Sequence, residues 1–311
     1  DVKGYVGLIG EGRYKEALAL IREKLFMPAI LGRICAHPCE EACKRNELHS
    51  PMSIAALKRF VADNYDDPDL WDVTTAPKRP ERIAIIGAGP AGAQAAHDLL
   101  KEGYGVTVFD RLPVVGGMMR VGIPSYRLPR EIIELEYSIL ERMGLDLRLN
   151  TEVGKDVSFD ELQEEYDGVI IAVGAHKGIV IPVPGHELEG VFNAVEYLRE
   201  VSLTGDFEQA GRRVVVLGGG NVAVDAARSS RRLPGVEEVH LVMLERDKDE
   251  APAHDWELEE TEEEGITIHY GWGTDAITGP RGAVASIRLK KCTAVFDAEG
   301  RFKPQYDEAT L

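Results

Sequence analysis

Two short apolar runs, each ending on glycine, punctuate the hydrophobic pattern of this chain. They are Ile83-Ala84-Ile85-Ile86 before Gly87 and Val214-Val215-Val216-Leu217 before Gly218. Apolar runs of this length bounded by glycine read as strands buried in a parallel sheet. A helical pattern follows each one. The first continues through Gln94-Ala95-Ala96-His97-Asp98-Leu99-Leu100 and stops near Gly103; the second runs Val222 to Arg232. A further strand closes each unit, Val106-Thr107-Val108-Phe109 in the first and Val239 to Leu244 in the second. Strand, helix, strand, twice over, predicts α/β architecture with two parallel sheets.

The flanking regions read differently. Residues 1–63 predict helices: Arg13–Arg22 places Tyr14, Ala17, Leu18 and Ile21 at helical spacing, and Ser53–Ala62 repeats the pattern. Residues 64–80, rich in Asp and Pro, read as a surface linker. Val169–Val173 reads as a buried strand whose Gly174 permits close backbone approach to a cofactor. Trp256–Glu264 predicts an acidic helix with a solvated face. Ser286-Ile287-Arg288-Leu289 and Cys292–Phe296 alternate like two antiparallel strands, with a turn at Ala298-Glu299-Gly300.

The two glycine loops carry candidate chemistry. A strand ends, the chain turns, and the next helix aims unsatisfied N–H groups and its dipole at a diphosphate. In the first loop Gly87 makes the turn, Gly89 admits the diphosphate and Gly92 lets the helix pack on the strand. The following strand delivers Asp110, a carboxylate placed to accept from adenosine ribose hydroxyls. The bland alternative is a tight strand-to-helix turn without ligand. In the second loop Gly218 and Gly220 take the first two glycine roles, and Ala223 the third. Its strand leads to Glu245, an acid that favours an unphosphorylated ribose and hence NADH. Arg246, Arg228 and Lys248 are cations that could instead serve a 2′-phosphate, and Glu245 itself could be a solvated charge. Two dinucleotide loops roughly 130 residues apart suit hydride transfer between a nicotinamide and a flavin.

Charge and length narrow the class. The 311 residues suffice for two or three units, each with its own core. A net charge of −17 argues against a nucleic-acid partner, which demands clustered Lys and Arg. No apolar run approaches the ~20 residues of a membrane helix, so no membrane insertion is expected. No signal-like segment is visible, and a cytoplasmic location is expected; the chain opens on Asp1 without a methionine, which suggests a start further upstream. Four cysteines do not make a disulfide scaffold.

Three of those cysteines cluster. Cys35, Cys39 and Cys43 form a C-x3-C-x3-C array within Gly32–Cys43. Such thiol density suits a soft metal or an iron–sulfur cluster, which wants four ligands. The alternatives are a zinc site completed by His37, or three thiols on one helical face. Pro38 argues against a continuous helix. The flavin context favours iron–sulfur over zinc, because a cluster extends an electron path. Cys292 lies far away in another kind of segment.

These stretches together resemble the glutamate synthase small (beta) subunit family, NAD(P)H-dependent oxidoreductases that include the N-terminal half of dihydropyrimidine dehydrogenase. The matching residues are Gly32–Cys43, Ile85–Asp110, Gly116-Gly117-Met118-Met119-Arg120-Val121-Gly122-Ile123-Pro124-Ser125-Tyr126-Arg127-Leu128-Pro129, Ile170–Ala175 and Val214–Arg228. The resemblance implies an N-terminal all-α iron–sulfur domain followed by two Rossmann-like domains of the flavin disulfide reductase type. Its boundaries would be 1–75 for the helical domain, 76–205 for FAD, 206–290 for NAD(P)H, and 291–311 for the start of a return to the FAD domain. By motif it implies FAD contacts at Gly87, Gly89, Gly92, Asp110, Gly117, Met118, Arg127 and Val153, and nicotinamide-nucleotide contacts at Gly219, Gly220, Asn221, Val222 and the Glu245–Arg246 pair. It also implies a [4Fe-4S] cluster on Cys35, Cys39 and Cys43, with a fourth ligand upstream of Asp1. That upstream Cys-Pro motif and the carboxy-terminal flavin motif are absent from these residues, which suggests a fragment. Relatives using NADPH tend to carry arginine where Glu245 stands, a departure that again favours NADH.

The expected activity is electron transfer from NADH (or NADPH) through FAD and the cluster to a partner subunit or ferredoxin-like carrier, within a hetero-oligomeric complex. Hydride transfer needs no catalytic triad. His37, His97, His176 and His254 read as ordinary loop or helix residues, and Met118 and Met119 as gap fillers. A dithiol-reducing flavoenzyme would need a cysteine pair beside the flavin, and none lies between Ile83 and Gly174. A non-catalytic electron-transfer or assembly subunit is the competing class.

Overall fold

The computed structural model describes residues 1–307, 309 and 310. The chain divides into two compact units, Asp1–Gly174 and Ala175–Leu311. The division falls inside the segment 76–205 assigned from sequence to flavin binding.

The first unit opens with helices α1 (Val2–Gly10), α2 (Tyr14–Arg22), α3 (Pro28–Ile34), α4 (Pro38–Glu41) and α5 (Ile54–Tyr65). The apolar stripe of α2 does what its spacing predicts: Ala17, Leu18 and Ile21 are buried with Tyr5, Ala29, Ile54, Val61 and Ala62 in one core. Residues 64–80 are not merely a surface linker. Trp71 is buried and its Nε1 donates to Asp66 at 2.7 Å, because the indole covers the end of the neighbouring core.

The same unit continues as β1 (Arg82–Ile86), α6 (Pro90–Lys101), β2 (Gly105–Phe109), α7 (Met118–Val121), α8 (Arg130–Arg142), β3 (Asp146–Arg148), α9 (Phe159–Glu165) and β4 (Gly168–Ile171). All pairings are parallel, in the order β3-β2-β1-β4. The order reverses between β1 and β4. In open α/β sheets the crevice at such a reversal, beyond the carboxyl ends of the strands, receives ligands. One expectation fails here: β4 is not buried. It is an edge strand, and Ile171 and Val173 are exposed at 63% and 54%.

The second unit comprises α10 (Ala194–Thr204), β5 (Arg213–Leu217), α11 (Asn221–Arg231), β6 (Glu238–Val242), α12 (Asp255–Glu263), β7 (Thr267–His269), β8 (Trp272–Thr278), β9 (Ser286–Phe296) and β10 (Phe302–Tyr306). β5, β6 and β7 form a parallel sheet, and β8, β9 and β10 an antiparallel one. Three readings of the pattern need correction. The two strands expected over 286–296 are one continuous strand, since Lys290 and Lys291 keep the pairing with Gly273 and Trp272. β6 ends at Val242, so Glu245 stands three residues beyond it in irregular chain. The acidic helix α12 is more than a solvated face: Leu258, Glu257 and Thr261 are buried, and Glu260, with Glu264 just past its end, pairs with buried Arg228. No helix among the described residues is long and apolar enough to cross a membrane.

Candidate functional site: two glycine cradles and a cysteine turn

The first loop sits at the sheet reversal. Gly87 adopts φ +114°, and a Cβ there would stand 2.4 Å from the carbonyl oxygen of Ala172, beyond the end of β4. Glycine is thus required both for the turn and for the approach of β4. Gly92 is tighter still, since a Cβ would lie 1.9 Å from the Gly87 oxygen. Gly89 caps α6 in extended backbone with no side-chain acceptor, and Pro90 occupies the first helical position. The nearest atom to a Cβ on Gly89 would be Cα of Gly117, 3.8 Å away. Gly117, at φ +51°, leans onto Gly89 and begins α7, where Met118 is half-buried. Two glycine backbones therefore wall a cradle at the N-terminus of α6 that any larger side chain would fill.

Asp110 follows β2 and organises this cradle. Its Oδ2 accepts from the Ala88 N–H at 2.7 Å and its Oδ1 from the Leu112 N–H at 2.8 Å. An ionised carboxylate has about four acceptor positions, so ribose hydroxyls can still be received. The Ala88 carbonyl is held by the Gly116 N–H at 2.9 Å and the Tyr137 hydroxyl at 3.2 Å. Burial pushes that phenol well above its ordinary pKa, with Asp110 adding to the shift, so it stays a neutral donor. Sequence reasoning missed Tyr137: no element was assigned over residues 130–142, and the hydroxyl's partner lies 49 residues away. Thr151 donates its N–H to the Asp110 carbonyl, which brings half-buried Val153 alongside. Arg127 is half-buried, one turn after Pro124, and Gly174 is exposed at φ +63°. Gly87, Gly89, Gly92, Asp110, Gly117, Met118 and Val153 are thus gathered around the ends of β1 and β2. A cradle that a Cβ would close, facing a helix N-terminus and flanked by a carboxylate, fits an adenine dinucleotide such as FAD.

The cysteines lie on a broken helix, as Pro38 requires. α3 ends at Ile34, His37 takes φ +43°, and α4 restarts at Pro38. Cys35, Cys39 and Cys43 are free and half-buried. The His37 N–H donates to the Cys35 sulfur at 3.3 Å. Backbone N–H groups of Met52 and Arg45 hold the Cys43 thiol below its usual pKa. Buried Tyr5 stands beside Cys39 and Cys35, its pKa pushed up to about 12 by burial and then by these two groups and Glu40. Soft donors with amide N–H groups aimed at sulfur are the chemistry of an iron–sulfur ligand set. Among the described residues, however, no three His, Cys, Asp or Glu side chains converge as ligands of one metal ion. Cys292 belongs to the second unit, where its thiol is buried on β9 and faces the Ala294 carbonyl.

The second loop repeats the first with differences. Gly218 turns at φ +129° and donates its N–H to Val242 at 2.9 Å. Nothing lies within 4 Å of where a Cβ on Gly220 would stand, so the N-terminus of α11 is open. Asn221 Oδ1 accepts from the His254 N–H at 3.2 Å, Val222 is exposed at 51%, and Ala223 packs inward. A Cβ on Gly219 would meet Glu245 Oε2 at 2.5 Å. That oxygen is buried and has no hydrogen-bond partner among the described residues. An orphaned acceptor beside a glycine loop fits the hydroxyls of a nucleotide ribose. Arg246 points elsewhere, to an ion pair with Glu250.

The family model for pyridine nucleotide-disulphide oxidoreductase matches residues 81–301, and that for dihydropyrimidine dehydrogenase domain II, 4Fe-4S cluster, matches residues 1–69. The NADP(+)-dependent formate dehydrogenase subunit beta of Moorella thermoacetica is 40% identical over 98% of this chain and 46% of its own length. The glutamate synthase [NADPH] small chain of Azospirillum brasilense is 31% identical over 100% of this chain and 67% of its own length. Among solved structures, Mycobacterium tuberculosis FprA in complex with NADPH aligns with a TM-score of 0.63 at 25% identity, covering 74% of this chain and 68% of that one. The chain spans about half the length of the first curated relatives it matches.

Proposed function

Because the chain belongs to the pyridine nucleotide-disulphide oxidoreductase family, we propose that it is the electron-input part of an NAD(P)H-dependent flavoprotein, feeding a partner subunit or ferredoxin-like carrier through FAD and a [4Fe-4S] cluster. The observation that carries the reading is the pairing of two open glycine cradles, each with a carboxylate at its mouth, in one chain with a thiol array. When bound, the flavin supplies the step from hydride to single electrons and the cluster carries those electrons onward.

The chain's own residues have positioning roles in this proposal. Gly89 and Gly117 admit the FAD diphosphate to the N-terminus of α6, while Asp110 fixes the loop and receives the ribose. Met118, Arg127, Val153 and Gly174 complete the flavin site. Gly218, Gly219, Gly220, Asn221, Val222 and Ala223 form the nicotinamide-nucleotide loop, with Glu245 at the ribose. Cys35, Cys39 and Cys43 are the cluster thiolates, and the amide donors at Cys35 and Cys43 stabilise ionised sulfur there. The relatives named as beta or small chains support a place in a larger assembly.

The test is an absorbance spectrum of the full chain after reconstitution with FAD and desalting, followed by reduction of an artificial acceptor with NADH and NADPH. Flavin bands near one per chain and nucleotide-dependent reduction are expected. A chain that folds yet retains no flavin would instead be an assembly subunit.

A further inference from the structure

We infer that the nucleotide loop of the second unit selects NADH over NADPH, with Glu245 as the specificity-determining residue. The inference rests on the function proposed above and narrows its nucleotide.

Glu245 is fixed in place rather than free to swing aside. Its carbonyl accepts the Gly271 N–H at 2.6 Å, its carboxylate lies against Gly219, and the residue is 9% exposed. Its Oε2 is buried without a donor among the described residues. Ribose 2′- and 3′-hydroxyls are donors and would satisfy it; a 2′-phosphate brings only acceptors and negative charge.

The cations that could offset that repulsion are already committed. Arg246 is paired with Glu250 through both its backbone N–H and its guanidinium. Lys248 is paired with Glu259. Arg228 has a buried side chain and reaches Glu260 at 2.6 Å and Glu264 at 2.5 Å. Lys291, on β9 near Gly271, lies over the Trp272 ring and donates to the Tyr270 carbonyl. A 2′-phosphate at this mouth meets a carboxylate first, and each of these cations would be shared with a carboxylate or carbonyl partner it already has. The formate dehydrogenase and glutamate synthase relatives carry NADP(+) or NADPH in their names, so this chain would depart from them.

The experiment is calorimetric titration of the full chain with ADP-ribose and with its 2′-phosphorylated counterpart, which probe the site without flavin or turnover. ADP-ribose should bind at least ~10-fold more tightly. Glu245→Arg should narrow or invert the ratio. Glu245→Gln, nearly isosteric and uncharged, should narrow it with the fold intact should the arginine variant not fold. Equal or tighter binding of the 2′-phosphorylated ligand by the wild type overturns the inference and leaves the proposed function standing. A ratio unmoved in Glu245→Gln overturns the role of Glu245. Binding of neither ligand overturns both this inference and the nucleotide-binding reading beneath it.

Discussion

The carboxylate of Glu136 on α8 accepts the backbone N–H of Ile30 on α3 at 2.9 Å. Its other oxygen takes the Ala29 N–H at 2.9 Å and faces the Arg22 guanidinium at 3.3 Å, while Arg22 also reaches Asp66 at 2.5 Å. Glu136 is wholly buried. It closes the N-terminus of α3, the helix that runs directly into Cys35, and so ties the cysteine segment to the flavin-type sheet's own helix layer. A carboxylate at that end also meets the positive pole of the helix.

Glu136→Ala should therefore cost about 2–5 kcal/mol, because it leaves the two buried amides of Ala29 and Ile30 without an acceptor and leaves Arg22 with Asp66 as its partner carboxylate. Glu136→Gln, which keeps the shape and one acceptor, should cost about 1–3 kcal/mol. Burial pushes the Glu136 carboxyl from 4.5 up to about 7, against the opposing pull of Arg22 and the amides. The folded state thus binds this proton more tightly than the unfolded chain. Its contribution is full below about pH 4.5 and declines as pH rises toward about 7. Urea midpoints of wild type and Glu136→Gln between pH 5 and 8 would check this: the wild-type advantage should shrink with rising pH and then level off.

The glycines of the first loop divide into two kinds. Gly92→Ala drives a methyl into the Gly87 carbonyl, so it should destabilise the fold by about 1–3 kcal/mol as well as weaken FAD retention. Gly89→Val meets nothing closer than Gly117 Cα at its Cβ. It should keep a wild-type melting temperature without cofactor and lose flavin. Melting curves of the apo-proteins beside flavin content after desalting separate the two outcomes. A Gly89→Val chain with normal flavin would remove the diphosphate from this loop.

Thiol reactivity should follow the environments of the cysteines. Amide donors from Met52 and Arg45 lower the Cys43 pKa, whereas burial raises that of Cys292. Alkylation near pH 7.5, followed by mass spectrometry, should label Cys43 early and Cys292 last in the metal-free chain. Anaerobic reconstitution with iron and sulfide should protect Cys35, Cys39 and Cys43 together and leave Cys292 unchanged. Protection by zinc with no iron bound would make the array a structural site.

Much of the scaffold was legible because it rests on local rules. Glycine after an apolar tetrad, an acid after the next strand, and Pro38 inside the cysteine array each act over a few residues, and the structure places them accordingly. What escaped the sequence depends on distant partners. Glu136 sits within the stripe Ile133, Tyr137 and Leu140 and looks like a polar interruption; its partners lie 106 to 114 residues away. Trp71 reads as part of an Asp- and Pro-rich linker until the core beneath it is known. The edge position of β4 could not be read from Val169–Val173, since buried and edge strands share an apolar pattern. The commitment of Arg246, Lys248 and Arg228 to separate carboxylates was equally hidden, and it bears on nucleotide choice.

The same hidden pairing makes α12 a stability element. Burial alone would raise the Glu264 pKa, but hydrogen bonds from Arg232 and Arg228 prevail and hold it at about 2. The guanidinium of Arg228 is nearly inaccessible, with its side chain 6% exposed, so loss of either carboxylate weakens the compensation of a buried charge. Glu264→Ala should cost about 1–3 kcal/mol; Glu260→Ala, on a more exposed carboxylate, should cost less. Because the folded pKa is depressed, the contribution of Glu264 is present above about pH 4.5 and is lost as pH falls toward about 2. Denaturant midpoints at pH 7 and pH 3.5 check the sign. The gap between wild type and Glu264→Ala should be largest at neutral pH and smaller in acid, and a gap that widens in acid would contradict the assignment.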